Sequence, residues 1–440
     1  MRAKFLVACA SVALGAGIAC ASAEAEEVAA PDTELVPIVA DAALDSAVDD
    51  ATVIDPPAPS TCSAAGWCLT TLPDADLVLI DIWPLQGRAF AVAVSPSIGA
   101  KVLEWIEADQ RWTYIDDNTQ NENGFGRYVG RIWAPSEDEV YYTVEPGYVY
   151  RGKRGATWTW ERELLVPASV RAAGRDTSAP VSLLLSPTTA TLGVWGTSAD
   201  DVYAWRADTI YHRKSVDGGA AEWVEDYVGP ALPDRMVILA AGGTDKDDVW
   251  FSGGSGGTNS TTDTCPMLMR KSPEGYRTVV AGTYTRSGLS YSCPPRPSTV
   301  GLTGPGATSS THRGDTGAMT DVFVRSDGEV AALRFVSTLT RLIPEDGGYR
   351  TTSEKLFSPG YTLNTGIVFS SLWVNGEDAW LSGPGFVLQG PVSGDAGAFG
   401  VSTLALTGAP VNEGLHRIRG TDASNIWAIG DRYAYHKTAP

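Results

Sequence analysis

Between positions 193 and 205 the chain reads GVWGTSADDVYAW. An apolar run ends at Trp195 and Gly196, a polar stretch covers 197–201, and Val202, Tyr203, Ala204 and Trp205 follow without a polar residue among them. Serine and aspartate side chains in the polar stretch can accept hydrogen bonds from turn N–H groups, so the pattern predicts strand, tight turn, strand. Successive side chains of a strand point to opposite faces. With both parities apolar, the second strand needs cover on both faces. A lone four-stranded sheet cannot supply that, whereas like sheets stacked side by side can.

The same order recurs. RIWAPSEDEVYYT (131–143), LAAGGTDKDDVWFSG (239–253), SLWVNGEDAWLSG (371–383) and RIRGTDASNIWAIG (417–430) repeat it; DIWPLQGRAFAVA (81–93) is a looser copy and GAMTDVFVRSDG (317–328) the loosest. The second aromatics, Phe90, Tyr141, Tyr203, Trp250, Phe323, Trp380 and Trp427, are expected on the second strand of each unit. A third apolar stretch follows, as in GYVYRGK (147–153) and DTIYHRK (208–214), and then a short aromatic one, as in WTWERELLV (158–166) and WVEDYV (223–228). Each unit therefore reads as four strands, a to d. The expected fold is all-β, a β-propeller of seven four-stranded blades, with six or eight left open. The last copy stops at 435–437 without a strand d, while GWCLTTLP (66–73) looks like a strand d with its leading Trp. That segment is expected to complete the last blade and remove the open edges.

These Trp-Gly-(polar turn)-Asp-Val-Trp units resemble the repeats of bacterial exported β-propeller proteins over about 65–440. The resemblance implies a propeller and a surface location, and little about chemistry.

Strand direction sorts the loops. The a–b and c–d turns share one face, and the b–c and d–a connections share the other. The first face collects Asp200, Asp201, Asp247, Asp248, Glu377, Asp378 and Asp422. They could form an acidic mouth for a cation or a basic partner; the plainer reading is turn chemistry and local ion pairs, each worth about 0–1 kcal/mol at a surface. The second face takes the insertions at 252–266 and 282–314, with a further connection at 345–361. Tyr284, Arg286, Tyr291, Arg296, His312 and Arg313 lie in or beside them, aromatic and guanidinium groups of the kind that dominate recognition sites, and are the candidate ligand residues. The alternative is a solvated decoration.

The N-terminus changes the charge picture. Arg2 and Lys4 precede an apolar run at 5–18, an export signal too short for a comfortable membrane span. Ala21-Ser22-Ala23 suits cleavage, leaving 1–23 as leader; Gly17-Ile18-Ala19-Cys20 resembles a lipobox with Gly where Leu is usual, making Cys20 the lipidation candidate. Residues 24–60 hold ten acidic residues and no basic ones, an expected disordered tether, with the propeller at 61–440. Without leader and tether the net charge moves from -19 to -11, with 31 Lys and Arg against 42 Asp and Glu, which argues against a nucleic-acid partner.

The remaining cysteines form two pairs, Cys62–Cys68 and Cys265–Cys293, expected as disulfides in an exported chain. The second pair joins a b–c loop to a d–a connection on one face. With four histidines and no CxxC, no metal or cofactor is expected. His212 and His436 share a repeat position that other units fill with Arg151, Arg270, Arg334 and Gln389, and positions on separate blades diverge. No linear catalytic motif is present. The expected function is a monomeric, non-enzymatic binding scaffold for a protein or glycan at the cell surface, using the insertion face. A glycan-active hydrolase or lyase with its site at the propeller axis is the alternative.

Overall fold

The computed structural model describes residues 62–124, 126, 128–165, 192–215, 219–230, 235–256, 264–287, 290–302, 316–334, 338–356, 369–393, 398–405 and 411–438. The leader, Cys20, the tether, His312 and Arg313 lie outside them.

Among the described residues the chain forms seven four-stranded antiparallel sheets. The first strand, β1 (Trp67–Leu69), belongs to the last of them. Blade 1 is β2 (Val78–Leu85), β3 (Arg88–Ser95), β4 (Gly99–Ile106) and β5 (Arg111–Tyr114). Blade 2 is β6 (Val129–Ser136), β7 (Glu139–Val144), β8 (Tyr148–Arg154) and β9 (Trp158–Leu164). Blade 3 is β10 (Leu192–Ser198), β11 (Asp201–Arg206), β12 (Thr209–Ser215) and β13 (Ala221–Val228). Blade 4 is β14 (Met236–Asp245), β15 (Asp248–Ser255), β16 (Cys265–Ser272) and β17 (Gly275–Val280). A separate hairpin follows, β18 (Thr285–Ser287) and β19 (Ser290–Ser292). Blade 5 is β20 (Met319–Val324), β21 (Val330–Arg334), β22 (Thr338–Glu345) and β23 (Gly348–Lys355). Blade 6 is β24 (Ser371–Asn375), β25 (Asp378–Ser382), β26 (Val387–Pro391) and β27 (Gly400–Ser402). Blade 7 is β28 (Leu415–Asp422), β29 (Asn425–Gly430) and β30 (Ala434–Lys437), with β1 beside β30 in the register Trp67↔Lys437, Cys68↔His436, Leu69↔Tyr435.

The double-faced strand b divides its side chains between two neighbours. Val202 and Ala204 bury with Trp133, Tyr141 and Val149 of blade 2. Tyr203 and Trp205 bury with Met236, Ile238, Val249 and Phe251 of blade 4. The cores are therefore the gaps between blades, and a strand with both parities apolar is what this requires.

The Trp-Gly pair of strand a has its own geometry. A Cβ on Gly196 would lie 2.9 Å from the Trp133 ring of the preceding blade and 2.6 Å from the carbonyl oxygen of Asp201. Gly243 stands likewise 2.9 Å from Trp195 and 2.5 Å from the Asp248 oxygen, and Gly420 2.8 Å from Trp373 and 2.9 Å from the Asn425 oxygen. At each of the three the a–b pairing slips by a residue, a bulge that brings two backbones close. Each of these Trp rings thus lies on a glycine of the next blade, and Trp195 of blade 3 passes the contact on to blade 4. In blade 2 the glycine's counterpart is Ala134, and Trp83 meets Trp133 edge-on at 6.4 Å instead.

Both cysteine pairs are bridged, Cys62–Cys68 and Cys265–Cys293. Trp67 is fully buried, its Nε1 donating to Ser402 Oγ at 2.8 Å and its ring 6.2 Å from Trp380 of blade 6.

The loosest repeat is where the sequence reading slips. Phe323 lies on strand a of blade 5, opposite Ala331, and not on strand b. Strand b there is Val330–Arg334, without an aromatic, so the alignment fell on the one aromatic available. Consequently the counterpart of His212 is Arg341, paired with Ala331, rather than Arg334. The stretch 345–361 likewise begins as the c–d turn and strand β23 and not as a connection.

Candidate functional site at the propeller axis

The acidic residues of the a–b turns are held within their surroundings. Asp201 accepts from Tyr203 OH at 2.9 Å, Thr197 Oγ1 at 2.5 Å and His212 at 3.0 Å, with the His212 ring stacked on Tyr203. Burial alone would raise its pKa, but those hydrogen bonds prevail and hold it below the usual carboxylate range. Asp248 accepts from Trp250 Nε1 and from Arg270, whose guanidinium lies over the Trp250 ring. Glu139 does the same with Tyr141 and Arg151. Asn425 plays this part in blade 7 with Trp427 and His436. Blades 2, 3, 4 and 7 share the device: a polar residue opening strand b, the aromatic two residues on, and a strand-c cation or imidazole against both.

Asp247 pairs with Lys246 and Glu377 with Arg325. Asp422 receives Ser424 and Gln86 and is held down to about 2, the Ser424 hydroxyl being the first cause. Asp200 and Asp378 are exposed. The ring of acids is thus mostly turn and blade chemistry.

His436 carries a pH dependence. Burial, against the opposing attraction of Glu107, pulls it from 6.5 down to about 4. The unfolded chain then binds the proton first, so stability is intact above about pH 6.5 and falls as pH drops toward 4. Glu145 runs the other way, raised by burial to about 7, so its contribution weakens as pH rises from 4.5 to 7. Comparison with His436→Phe isolates the histidine. The wild type should lose of order 2–3 kcal/mol relative to the variant between pH 6.5 and 4, read by urea denaturation; parallel curves would reject the assignment.

On the insertion face, Arg296 Nε donates to the Gly282 carbonyl at 3.1 Å, and Tyr284 is half-buried. Arg286 and Tyr291 are backbone register partners between β18 and β19. The Cys265–Cys293 bridge joins this segment to β16.

A different constellation gathers at the axis. One residue, two positions before the inner aromatic or its counterpart, projects there from each strand a: Asp81, Arg131, Gly193, Ala240, Asp321, Ser371 and Arg417. Arg417 Nε donates to Asp81 at 2.6 Å, and its Nη1 to Asp321 at 3.1 Å. Asp321 also receives Arg419 at 3.0 and 3.1 Å, Ser371 Oγ at 2.9 Å and the Leu372 N–H at 3.0 Å. Asp81 takes the Ile132 N–H at 3.0 Å, the same hand-over from one blade to the next. Arg417 is 1 % and Asp321 0 % exposed. Burial raises the Asp81 carboxyl, outweighing Arg131 and Arg419. Arg419 is held up against burial by Asp321.

Above this ionic floor sits a cavity of about 310 Å³ to which all seven strands a contribute. Its wall is Trp83, Trp195, Trp205, Phe323 and Trp373, with the glycines and alanines of 240–243 on one side. In five of the seven strands a the lining reaches the a–b end, at Pro84, Thr197, Thr244, Val324 and Gly420, so the cavity lies on the a–b side of the axis. Neither cavity nor floor was singled out from the sequence. The available signal was the residue two before each inner aromatic, Asp in DIW and DVF and Arg in RIW, standing in a repeat otherwise apolar at that point.

No family model matches the chain, and no curated protein matches it. Solved structures do. YCF48 from Cyanidioschyzon merolae aligns with TM-score 0.52 and 13% identity over 84% of this chain and 98% of its own. The Cps50 (Swd1) β-propeller domain of Myceliophteria thermophila aligns with TM-score 0.51 and 9% identity over 84% and 99%. At those identities the likeness establishes a shared architecture: the chain folds as a seven-bladed β-propeller.

Proposed function

We propose that this protein is a non-enzymatic binding scaffold that takes its ligand, or a projecting group of a protein or glycan partner, into the axial cavity. One observation carries the reading: seven inner strands, far apart in sequence, converge on a concave, indole-walled space over a charged floor. Cavities of this size, mostly apolar with a few fixed polar groups, are the usual form of a small-ligand site. Both floor carboxylates are occupied by guanidinium and backbone N–H groups, which favours holding a ligand over turning one over. The insertion face is the less favoured location, because Arg296 is spent on a backbone carbonyl there. The leader pattern supports export, with cleavage after Ala23 or a lipid on Cys20, told apart by the intact mass of the chain recovered from cells.

Filling the cavity tests the reading. Ala241 lines it and is half-buried, so Ala241→Trp should occupy the space without altering the floor. In a thermal-shift panel of small molecules, peptides and oligosaccharides, a true ligand at a hundredfold its Kd adds about 2.7 kcal/mol to the wild type. The same ligand should add nothing to the variant. Equal stabilisation of both would move the site away from the axis.

A further inference from the structure

The floor does not balance. Three guanidinium groups, Arg131, Arg417 and Arg419, face two carboxylates; Asp81 pairs with Arg417, and Asp321 with both Arg417 and Arg419. Arg131 is 4 % exposed. Its side chain makes one long hydrogen bond, Nη2 to the Leu239 carbonyl at 3.5 Å, and its Nε is buried without a partner among the described residues. Burial pulls its pKa down from the ordinary arginine value, outweighing the attraction of Asp81 and Asp321, with neither of which it forms an ion pair. A second donor on the same wall is in the same condition: Trp205 Nε1 is buried without a partner. Blades 3 and 4 present only Gly193 and Ala240 at the ring position, and the Trp205 ring fills the space beside Gly193, so neither blade offers an acceptor side chain from that position.

Two buried donors lacking acceptors among the described residues, in a cluster with one positive charge in excess, ask for an acceptor carrying a single negative charge. A buried polar group left unpaired is costly, and a buried charge more so. We propose that the axial cavity binds a carboxylate monoanion with an apolar body, its charge held by Arg131 and its body packed against Trp83, Trp195, Phe323 and Trp373. This rests on the cavity being the binding site. The net charge selects a monoanion: a phosphate dianion would leave one negative charge buried in its turn. The wall selects the body, since its indole and phenyl groups offer area rather than hydrogen bonds.

Tryptophans line the cavity, so binding can be followed by intrinsic fluorescence and checked by calorimetry. The probes are phenylacetate and its neutral isostere phenylacetamide. Wild-type protein should prefer phenylacetate by at least about tenfold, the margin of one charge-assisted contact. Arg131→Met should erase that preference, through a far larger loss for phenylacetate than for phenylacetamide. Its thermal midpoint should hold or rise, because an unpaired buried charge has been removed. The wild-type comparison needs no variant, so the inference stays testable if Arg131→Met fails to fold. Equal affinity for the two probes, or an undiminished preference in Arg131→Met, would overturn the charge assignment while leaving the cavity as a site. Inorganic phosphate or glucuronate binding as tightly as phenylacetate would overturn the single charge or the apolar body, respectively. Binding of neither probe would also overturn the inference, and the cavity itself would then be judged by the Ala241→Trp comparison.

Discussion

Asp321→Asn is expected to cost about 3–5 kcal/mol, the usual penalty for removing one partner from a buried ion pair. Asp321 sits at the crossing of blades 5, 6 and 7, fully buried, and receives Arg417, Arg419, Ser371 and the Leu372 N–H. The amide keeps the shape, but it loses the charge that offsets two guanidinium groups and turns an NH₂ toward donors. Asp201→Asn is the natural comparison. Asp201 serves one blade and its partners reach toward the surface, so its loss should cost about 1 kcal/mol, the net value of an ordinary hydrogen bond. Guanidinium denaturation with a common slope reads both. Equal costs would mean that the axial ion cluster stabilises no more than a single blade's network does.

Gly196→Ala should cost about 1–3 kcal/mol through overpacking alone. The new methyl would stand 2.6 Å from the Asp201 carbonyl oxygen and 2.9 Å from the Trp133 ring, where backbone on one side and a buried indole on the other leave little to yield. Gly348→Ala adds the same methyl in open space, with nothing within 4 Å, and should be neutral or slightly stabilising by restricting the unfolded chain. A second variant, Trp133→Phe in the Gly196→Ala background, shortens the ring that meets the methyl. Part of the loss should then be non-additive with the two single changes. If Gly196→Ala behaves like Gly348→Ala, the seat between Trp and Gly is not what selects glycine.

Val202 to Trp205 shows how far the fold was legible. Four consecutive apolar side chains demand cover on two faces, and the structure supplies it from blades 2 and 4. The same local logic placed strands a and b in six of the units and strand c in five, and put a Trp-led strand d at residue 67. It failed at 317–328 because blade 5 keeps its aromatic on strand a and leaves strand b to Val330, Ala331, Ala332 and Leu333. An alignment anchored on aromatics then shifts by one strand. The turn acids were visible from sequence and were weighed as turn chemistry first, which fits the hydrogen bonds around Asp201, Asp248 and Asp422.

The axial floor was hidden for a different reason. Asp81, Arg131, Asp321 and Arg417 share a repeat position two residues before the inner aromatic or its counterpart, but nothing along the chain says that those positions meet. Period and parity are local properties, carried by a few consecutive residues, so the sequence by itself determined that the units are strands and that they must stack. Which side chains meet at the axis, and that their charges leave one guanidinium over, follows from bringing seven distant strands to one line. Coulomb and hydrogen-bond energies depend on separation in space, and only the tertiary structure sets that.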